Sequence, residues 1–388
     1  MKIIVLGAGR VGSAIAADLS KDKAWDVRVA DRDPARLRWI EEAHGIPGER
    51  VDFSLPSTVA RAVEDVDLVV SAVPGFLGFR TLRAILEAGK DAVDIAFFPE
   101  DPFQLDALAK SKGVTAIVDS GVAPGMSNLL VGHVDALLDR TDSVAIYVGG
   151  LPVERSGPFE YRAVFSPIDV IEEYTRPARF IEHGELVVRP ALSDIELLDF
   201  EGVGTLEAFN TDGLRTLAET IDAPNMIEKT LRYPGHAEKM RLFRETGLFD
   251  ENPLTLPDGS EVRPIDVTTS LLFPLWELQE GEEDITVMRI QVAGNAAGIR
   301  TTYTYDLIDR FDRDTKTTSM ARTTGYAATS AARMLAAGLV SEKGIIPPEL
   351  IGRNPACVEF MLADQEKRRI RYKETVERSS SEREAEIT

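Results

Sequence analysis

A chain of 388 residues is too long for one ordinary core and predicts two domains, with length to spare for a segment that returns from the second to the first. Lys and Arg total 44 against 64 Asp and Glu, a formal net charge of -20 whose field repels phosphates and so disfavours nucleic acid and anionic membranes as partners. No apolar run approaches the roughly 18 residues that cross a bilayer. The first residues already read as a core strand, which leaves no room for a leader. The single Cys357 excludes an internal disulfide, and His44, His133, His183 and His236 are too scattered for a metal site, so a metal-free cytoplasmic protein is expected.

Ile3-Ile4-Val5-Leu6 reads as a buried strand running into Gly7-Ala8-Gly9-Arg10-Val11-Gly12, which opens a helix. This is the G-x-G-x-x-G turn of a dinucleotide-binding unit. Gly7 permits the tight turn, Gly9 lets backbone approach a pyrophosphate, and Gly12 lets the helix press on the strand, while the helix start at Arg10 and Val11 offers unpaired N–H groups. A second strand, Asp26 to Ala30, ends on Asp31, whose carboxylate can accept the ribose hydroxyls of an adenosine. Asp31 would repel a 2′-phosphate and favours NAD, whereas the neighbouring Arg32 could bind that phosphate and leaves NADP open.

Strand and helix continue to alternate to about residue 125. Helices are expected at Arg36 to Ala43, Val59 to Glu64, Thr81 to Ala88 and Phe103 to Ser111, and strands at Val51 to Phe53, Asp67 to Ala72, Ala92 to Ile95 and Val114 to Val118. That alternation implies an α/β fold, a doubly wound parallel sheet of the Rossmann kind with helices on both faces and ligands beyond the carboxyl ends of its strands. Three loops should then line one cleft: Gly7 to Gly12, the stretch from Ala72-Val73-Pro74 to Gly78, and Asp119 to Asn128.

From residue 126 to 316 the pattern changes. Val144 to Val148 runs into Gly149-Gly150-Leu151-Pro152, and Ile285 to Val292 alternates with Ile299 to Ile308 across Gly294 to Gly298 as an antiparallel pair. With short strands at Leu186 to Val188 and Thr205 to Phe209 and helices near His236 to Arg244 and Val267 to Leu278, this predicts an α+β second domain on a mixed or antiparallel sheet that binds substrate and pairs two copies. Residues 317–363 carry a small-residue helix, Met320 to Ala337, expected to return to the first domain. Residues 364–388 read as a charged helix fraying into a tail.

Polar groups gather beside glycine and proline in three further stretches: Asp119 to Asn128, with an Asp-x-Gly-x-x-Pro-Gly pattern; Tyr161-Arg162 with Phe165-Ser166-Pro167 and Tyr174-Thr175-Arg176-Pro177-Ala178-Arg179; and Thr230-Leu231-Arg232-Tyr233-Pro234-Gly235-His236. With the opening glycine turn, these resemble the saccharopine dehydrogenase-like reductases over about residues 1 to 350, and within that group most of all the lysine 6-dehydrogenases. Saccharopine and carboxynorspermidine dehydrogenases look similar in the same stretches.

The resemblance implies NAD- or NADP-dependent oxidation of an amine-bearing carbon. For L-lysine, hydride leaves the ε-carbon, water hydrolyses the resulting imine to the semialdehyde with release of ammonia, and that product closes on its own α-amine. A lysine ammonium of pKa about 10.4 costs roughly 3 kcal/mol to present neutral at pH 8, so a base is needed and activity should rise in alkali. His236 is a candidate for that base or a polar contact, or a helix-opening residue. Asp119 could hold the ammonium or serve as a turn residue, and Tyr174 could donate to substrate or simply pack. The substrate carboxylate calls for an arginine fork, for which Arg162, Arg176, Arg179 and Arg232 are available, Arg232 and its neighbour Tyr233 lying inside the most specific stretch. A homodimer is expected on base rates alone. The first 40 residues also fit a non-catalytic nucleotide sensor of the kind that gates potassium transport, a reading that leaves the second domain unexplained.

Overall fold

The computed structural model describes residues 1–279 and 281–379. Six short segments, all but Gly48-Glu49-Arg50 with an apolar centre, form parallel strands, β1 (Lys2–Leu6), β2 (Asp26–Asp31), β3 (Gly48–Arg50), β4 (Leu68–Ser71), β5 (Asp91–Asp94) and β6 (Thr115–Ile117). Between them run α1 (Arg10–Leu19), α2 (Pro34–His44), α3 (Pro56–Ala62), α4 (Gly75–Glu87) and α5 (Asp106–Lys112). The order β6-β5-β4-β1-β2-β3 reverses between β1 and β4, the switch point beyond which ligands of such sheets bind.

Two boundaries differ from expectation. The third strand is Gly48–Arg50, paired to β2 from Val29↔Gly48 to Asp31↔Arg50, so Val51 and Phe53 enter the core just past it. Helix α4 starts at Gly75, several residues earlier than periodicity suggests. Gly78 is not a loop residue: a Cβ there would lie 2.6 Å from Phe98 and 2.7 Å from Ala96, so glycine lets the helix settle on the segment after β5.

The second domain begins with α6 (Met126–Leu137) and β7 (Arg140–Pro152). It continues through α7 (Pro167–Thr175), β8 (Ala178–Glu182), β9 (Glu185–Arg189), β10 (Glu196–Phe200), β11 (Gly204–Asn210), α8 (Leu217–Thr220), β12 (Asn225–Arg232) and α9 (His236–Glu245). A two-strand hairpin, β13 (Leu254–Thr255) and β14 (Glu261–Val262), leads to α10 (Pro264–Trp276) and the long pair β15 (Asp284–Ala296) and β16 (Ile299–Arg310). Strands β7 and β12 run parallel and β15 antiparallel to β7, giving the mixed sheet. Val144, Ile146, Ile290 and Val292 bury one face in the core that also holds Leu129 and Leu130 of α6. Tyr161, Tyr174, Phe209, Met240, Leu272 and Trp276 form a separate core among α7, α9 and α10.

The chain then returns, as its small residues predict. In α11 (Ser319–Ala336), Gly325 brings the helix onto α1, where a Cβ would lie 3.3 Å from Ile15, and Thr329 donates to Asp18 at 2.8 Å. Beyond it β17 (Gly344–Ile346) joins the first sheet parallel to β6, followed by α12 (Pro348–Gly352) and α13 (Pro355–Glu366). Of the charged segment 364–388, helix α13 continues only to Glu366, and the part expected to fray from it is extended. It forms β18 (Lys373–Ser379), an exposed edge strand antiparallel to β16, anchored by Tyr305 Oη donating to Glu374 at 2.5 Å. The serines at 380 and 381 lie outside the described residues. Among the described residues no helix is long and apolar enough to cross a membrane.

Candidate active site

The glycine turn has the geometry a dinucleotide requires. Gly7 has φ +108, and a Cβ there would meet Ala72 O at 2.5 Å; one on Gly12 would overlap Gly7 O. The nearest atom to a Cβ on Gly9 is Arg36 Nη1 at 3.8 Å, so that backbone faces open space. The first helical bond of α1 runs from Ser13 N–H to Gly9 O at 2.8 Å, so the N–H groups of Arg10, Val11 and Gly12 precede the helical ladder and are available to a phosphate. A dinucleotide therefore fits this cradle.

Two residues assigned to the cofactor have partners within the protein. Asp31 is buried at the end of β2, with Oδ2 accepting from Ala8 N–H at 2.6 Å and Oδ1 from Asp33 N–H at 2.9 Å, so it braces the glycine turn. Arg10 reaches into the second domain, donating to Ala163 O at 3.3 Å and Leu278 O at 3.0 Å. Arg32 is exposed.

Past β4 the Ala72-Val73-Pro74 loop ends on Gly75, whose N–H donates to Asp169 Oδ1 in the first turn of α7 at 3.2 Å. At the other end of α7 the Arg176 guanidinium lies 4.6 Å from the centre of the Phe97 ring. Asp119, just past β6, is buried against Arg215, whose Nε lies 3.1 and 3.2 Å from its two oxygens. Arg215 also donates to Phe98 O and sits 5.2 Å from the Phe97 ring. Asp94, at the end of β5, is wholly enclosed: Oδ1 accepts from Ala96 N–H at 2.8 Å, Oδ2 lacks a hydrogen-bond partner among the described residues, and burial pushes its pKa up to about 7. Burial likewise raises Asp169.

Asp119 lies just past β6, where the sequence puts it, but it is buried and meets an arginine of the other domain. Sequence reasoning passed over Arg215, Asp169, Phe97 and Asp94. Arg215 follows a strand within Asn210-Thr211-Asp212-Gly213-Leu214-Arg215, a polar run beside a glycine like the stretches singled out, and Asp94 was read only as part of its strand.

His236, Tyr174 and Arg232 do come together, in the core of the second domain. His236 opens α9 with 2% exposure; its Nε2 lies 2.9 Å from Tyr174 Oη and its Nδ1 3.2 Å from Phe159 O. Burial, reinforced by Arg232, pulls its pKa down to about 3, so it is neutral. Arg232 donates to Tyr174 Oη at 3.3 Å, Glu173 at 2.6 Å and Leu231 O at 2.9 Å. Tyr233 donates to Pro152 O at 2.8 Å, and Arg162 is held by Glu282 at 3.0 Å and by Leu275 O. The Tyr-Pro-Gly-His stretch has a fold-building role: Gly235 takes φ +90, and Glu207 accepts from Gly235 N–H at 2.7 Å and Ala237 N–H at 2.5 Å, capping α9.

A doubly wound sheet with a phosphate-ready turn at its switch point, closed against a mixed-sheet domain, defines a two-domain dinucleotide-binding protein. Residues 3–117 match the family model described as the saccharopine dehydrogenase NADP binding domain, and residues 121–370 that described as the saccharopine dehydrogenase C-terminal domain. The chain belongs to the saccharopine dehydrogenase family, and its first domain is a nicotinamide dinucleotide domain.

Among its relatives, the mitochondrial alpha-aminoadipic semialdehyde synthase of Mus musculus is 23% identical over 275 residues, 67% of this chain but 30% of that protein's length. Carboxynorspermidine synthase of Vibrio cholerae is 24% identical over 390 residues, 92% of this chain and 93% of its own. The solved apo saccharopine dehydrogenase (L-Glu forming) of Saccharomyces cerevisiae superposes with a TM-score of 0.78 at 18% identity, covering 97% of this chain and 99% of that one, and shares the fold.

Proposed function

We propose that the protein is an NADP-dependent oxidoreductase acting at the C–N bond of an amino-acid amine, with the ε-carbon of L-lysine as the substrate position. The observation that carries the amine is the set of buried carboxylates around the seam between the domains: Asp94 ends β5, Asp119 follows β6, and Asp169 crosses to Gly75. Such groups stabilise a cationic head and can take the proton it must lose, and Asp94, with its pKa near 7, is suited to hold one. When bound, the nicotinamide supplies the hydride acceptor. The hydrogen bonds of Arg10 to Ala163 and Leu278, and of Gly75 to Asp169, hold the two domains against each other.

NADP replaces the sequence-based preference for NAD. Both oxygens of Asp31 are engaged with backbone, Arg36 lies near the Gly9 turn, Arg32 is exposed, and the family's domain is described by NADP.

The near full-length match to carboxynorspermidine synthase supports a second reading, in which the nitrogen is a secondary amine carrying a second arm. Nicotinamide absorbance followed at about pH 9 to 10 with L-lysine, saccharopine and carboxynorspermidine offered in turn separates the two, with NADP and NAD compared in each. Reduction with lysine alone is expected, at a rate rising with pH. Reduction with either secondary amine alone moves the substrate to that class. Silence with all three in a protein that binds NADP would sink the catalytic reading.

A further inference from the structure

Helix α10 presents an apolar stripe to solvent. Val267, Leu271 and Leu275, four residues apart and so aligned along one side of the helix, are 47%, 66% and 48% exposed, while Ile265, Leu272 and Trp276 fill the core that also holds Tyr174 of α7. The hydroxyls beside the stripe make no demand on water: Thr269 donates to Ile265 O at 2.8 Å and Ser270 to Asp266 O at 2.6 Å. Covering this side removes apolar surface from water without stranding those groups.

The segment leading into α10 is open in the same way. Residues 251–261 are all exposed, and among the described residues β13 and β14 pair only with each other, Leu254 with Val262 and Thr255 with Glu261. A lone two-strand hairpin is marginal in water, and this one carries Leu254 and Leu256 at 56% and 38% exposure. Five large apolar side chains thus lie exposed between residues 254 and 275 of a chain whose net charge is -20.

Symmetry and charge select the occupant. The stripe is symmetric about Leu271, and the exposed Glu277 ends the helix, where the helix dipole disfavours a carboxylate. In a second copy laid antiparallel across a two-fold axis, Leu271 meets its own counterpart, Val267 meets the partner's Leu275, and Glu277 comes beside the partner's Arg263 at the opposite helix end. The bonds of Arg263 to Asp266 at 2.9 and 3.0 Å join two exposed groups and compete only weakly.

We propose that α10, with the β13–β14 hairpin as a flanking arm, is the face through which two copies of this chain pair antiparallel. Because α10 shares its core with α7, whose Asp169 reaches Gly75, pairing here backs the helix that contacts the first domain. The surface is independent of which amine is oxidised.

Sedimentation velocity of the full chain is expected to give twice the chain mass at micromolar concentration. Leu271→Glu should raise the dimer dissociation constant about a hundredfold or more, since each dimer carries the change twice, and should leave the near-ultraviolet circular dichroism of the protomer unchanged. Arg263→Glu should weaken pairing, and adding Glu277→Arg should restore it. A disulfide closes only between Cα atoms within about 7 Å, so mild oxidation should link two copies of Leu271→Cys and not two copies of Asp266→Cys, which lies on the polar flank. A wild type that stays monomeric would overturn the proposal. So would a dimer that Leu271→Glu leaves intact and Leu271→Cys fails to link, an outcome that moves the pairing to the edge of the mixed sheet.

Discussion

His236 and Glu228 are both enclosed, yet burial moves their proton affinities in opposite senses. His236, at about 3 against 6.5 unperturbed, stays neutral when folded, so below pH 6.5 the unfolded chain binds a proton the folded one refuses, and stability is lost as pH falls from 6.5 towards 3. Glu228, raised by burial to about 8 from 4.5, keeps its proton when folded, so its contribution is full below pH 4.5 and is lost as pH rises through 8. Each slope is at most about 1.4 kcal/mol per pH unit. Urea midpoints for Glu228→Gln should therefore fall less between pH 5 and 8 than those of the wild type; parallel falls would mean that Glu228 is ionised in the fold. Neither role is legible in the sequence, because Thr211, which donates to Glu228 at 2.6 Å, and Tyr174, beside His236, reach their partners from elements remote along the chain.

At the scale of the element, the glycine turn separates two kinds of glycine. A Cβ on Gly12 overlaps Gly7 O, whereas one on Gly9 meets nothing nearer than 3.8 Å. Gly12→Ala should lower the urea midpoint by the equivalent of about 1 to 3 kcal/mol with or without cofactor. Gly9→Ala should leave the midpoint of the cofactor-free protein within about 0.5 kcal/mol and weaken dinucleotide binding in a fluorescence titration; unimpaired binding would mean that the pyrophosphate does not approach Gly9. This turn was readable because strand, turn and helix are contiguous and each glycine answers a local demand. Strand β18 was not: Lys373-Glu374-Thr375-Val376-Glu377-Arg378 is mostly charged and polar, and only the open edge of β16 makes it a strand.

For the whole molecule, the Asp119–Arg215 pair bonds the carboxyl end of β6 in one domain to a loop of the other, buried on both sides and 96 residues apart in the chain. Arg215→Met leaves a buried carboxylate alone and should cost about 3 to 5 kcal/mol, while adding Asp119→Asn should restore a substantial part. Losses that simply add in urea unfolding would mean the two do not act as a pair.

The amino-acid sequence by itself determined the parallel sheet, its phosphate-binding turn, the mixed second sheet and the returning small-residue helix, because each is written in local periodicity and in glycines with local steric tasks. Only the tertiary structure decided which of several chemically equivalent acids and arginines were left without partners. Asp31, Asp119, Arg162 and Arg232 all found partners, while one Arg176 nitrogen did not. Charge pairing depends on distances closed by long-range packing, and no spacing along the chain encodes those.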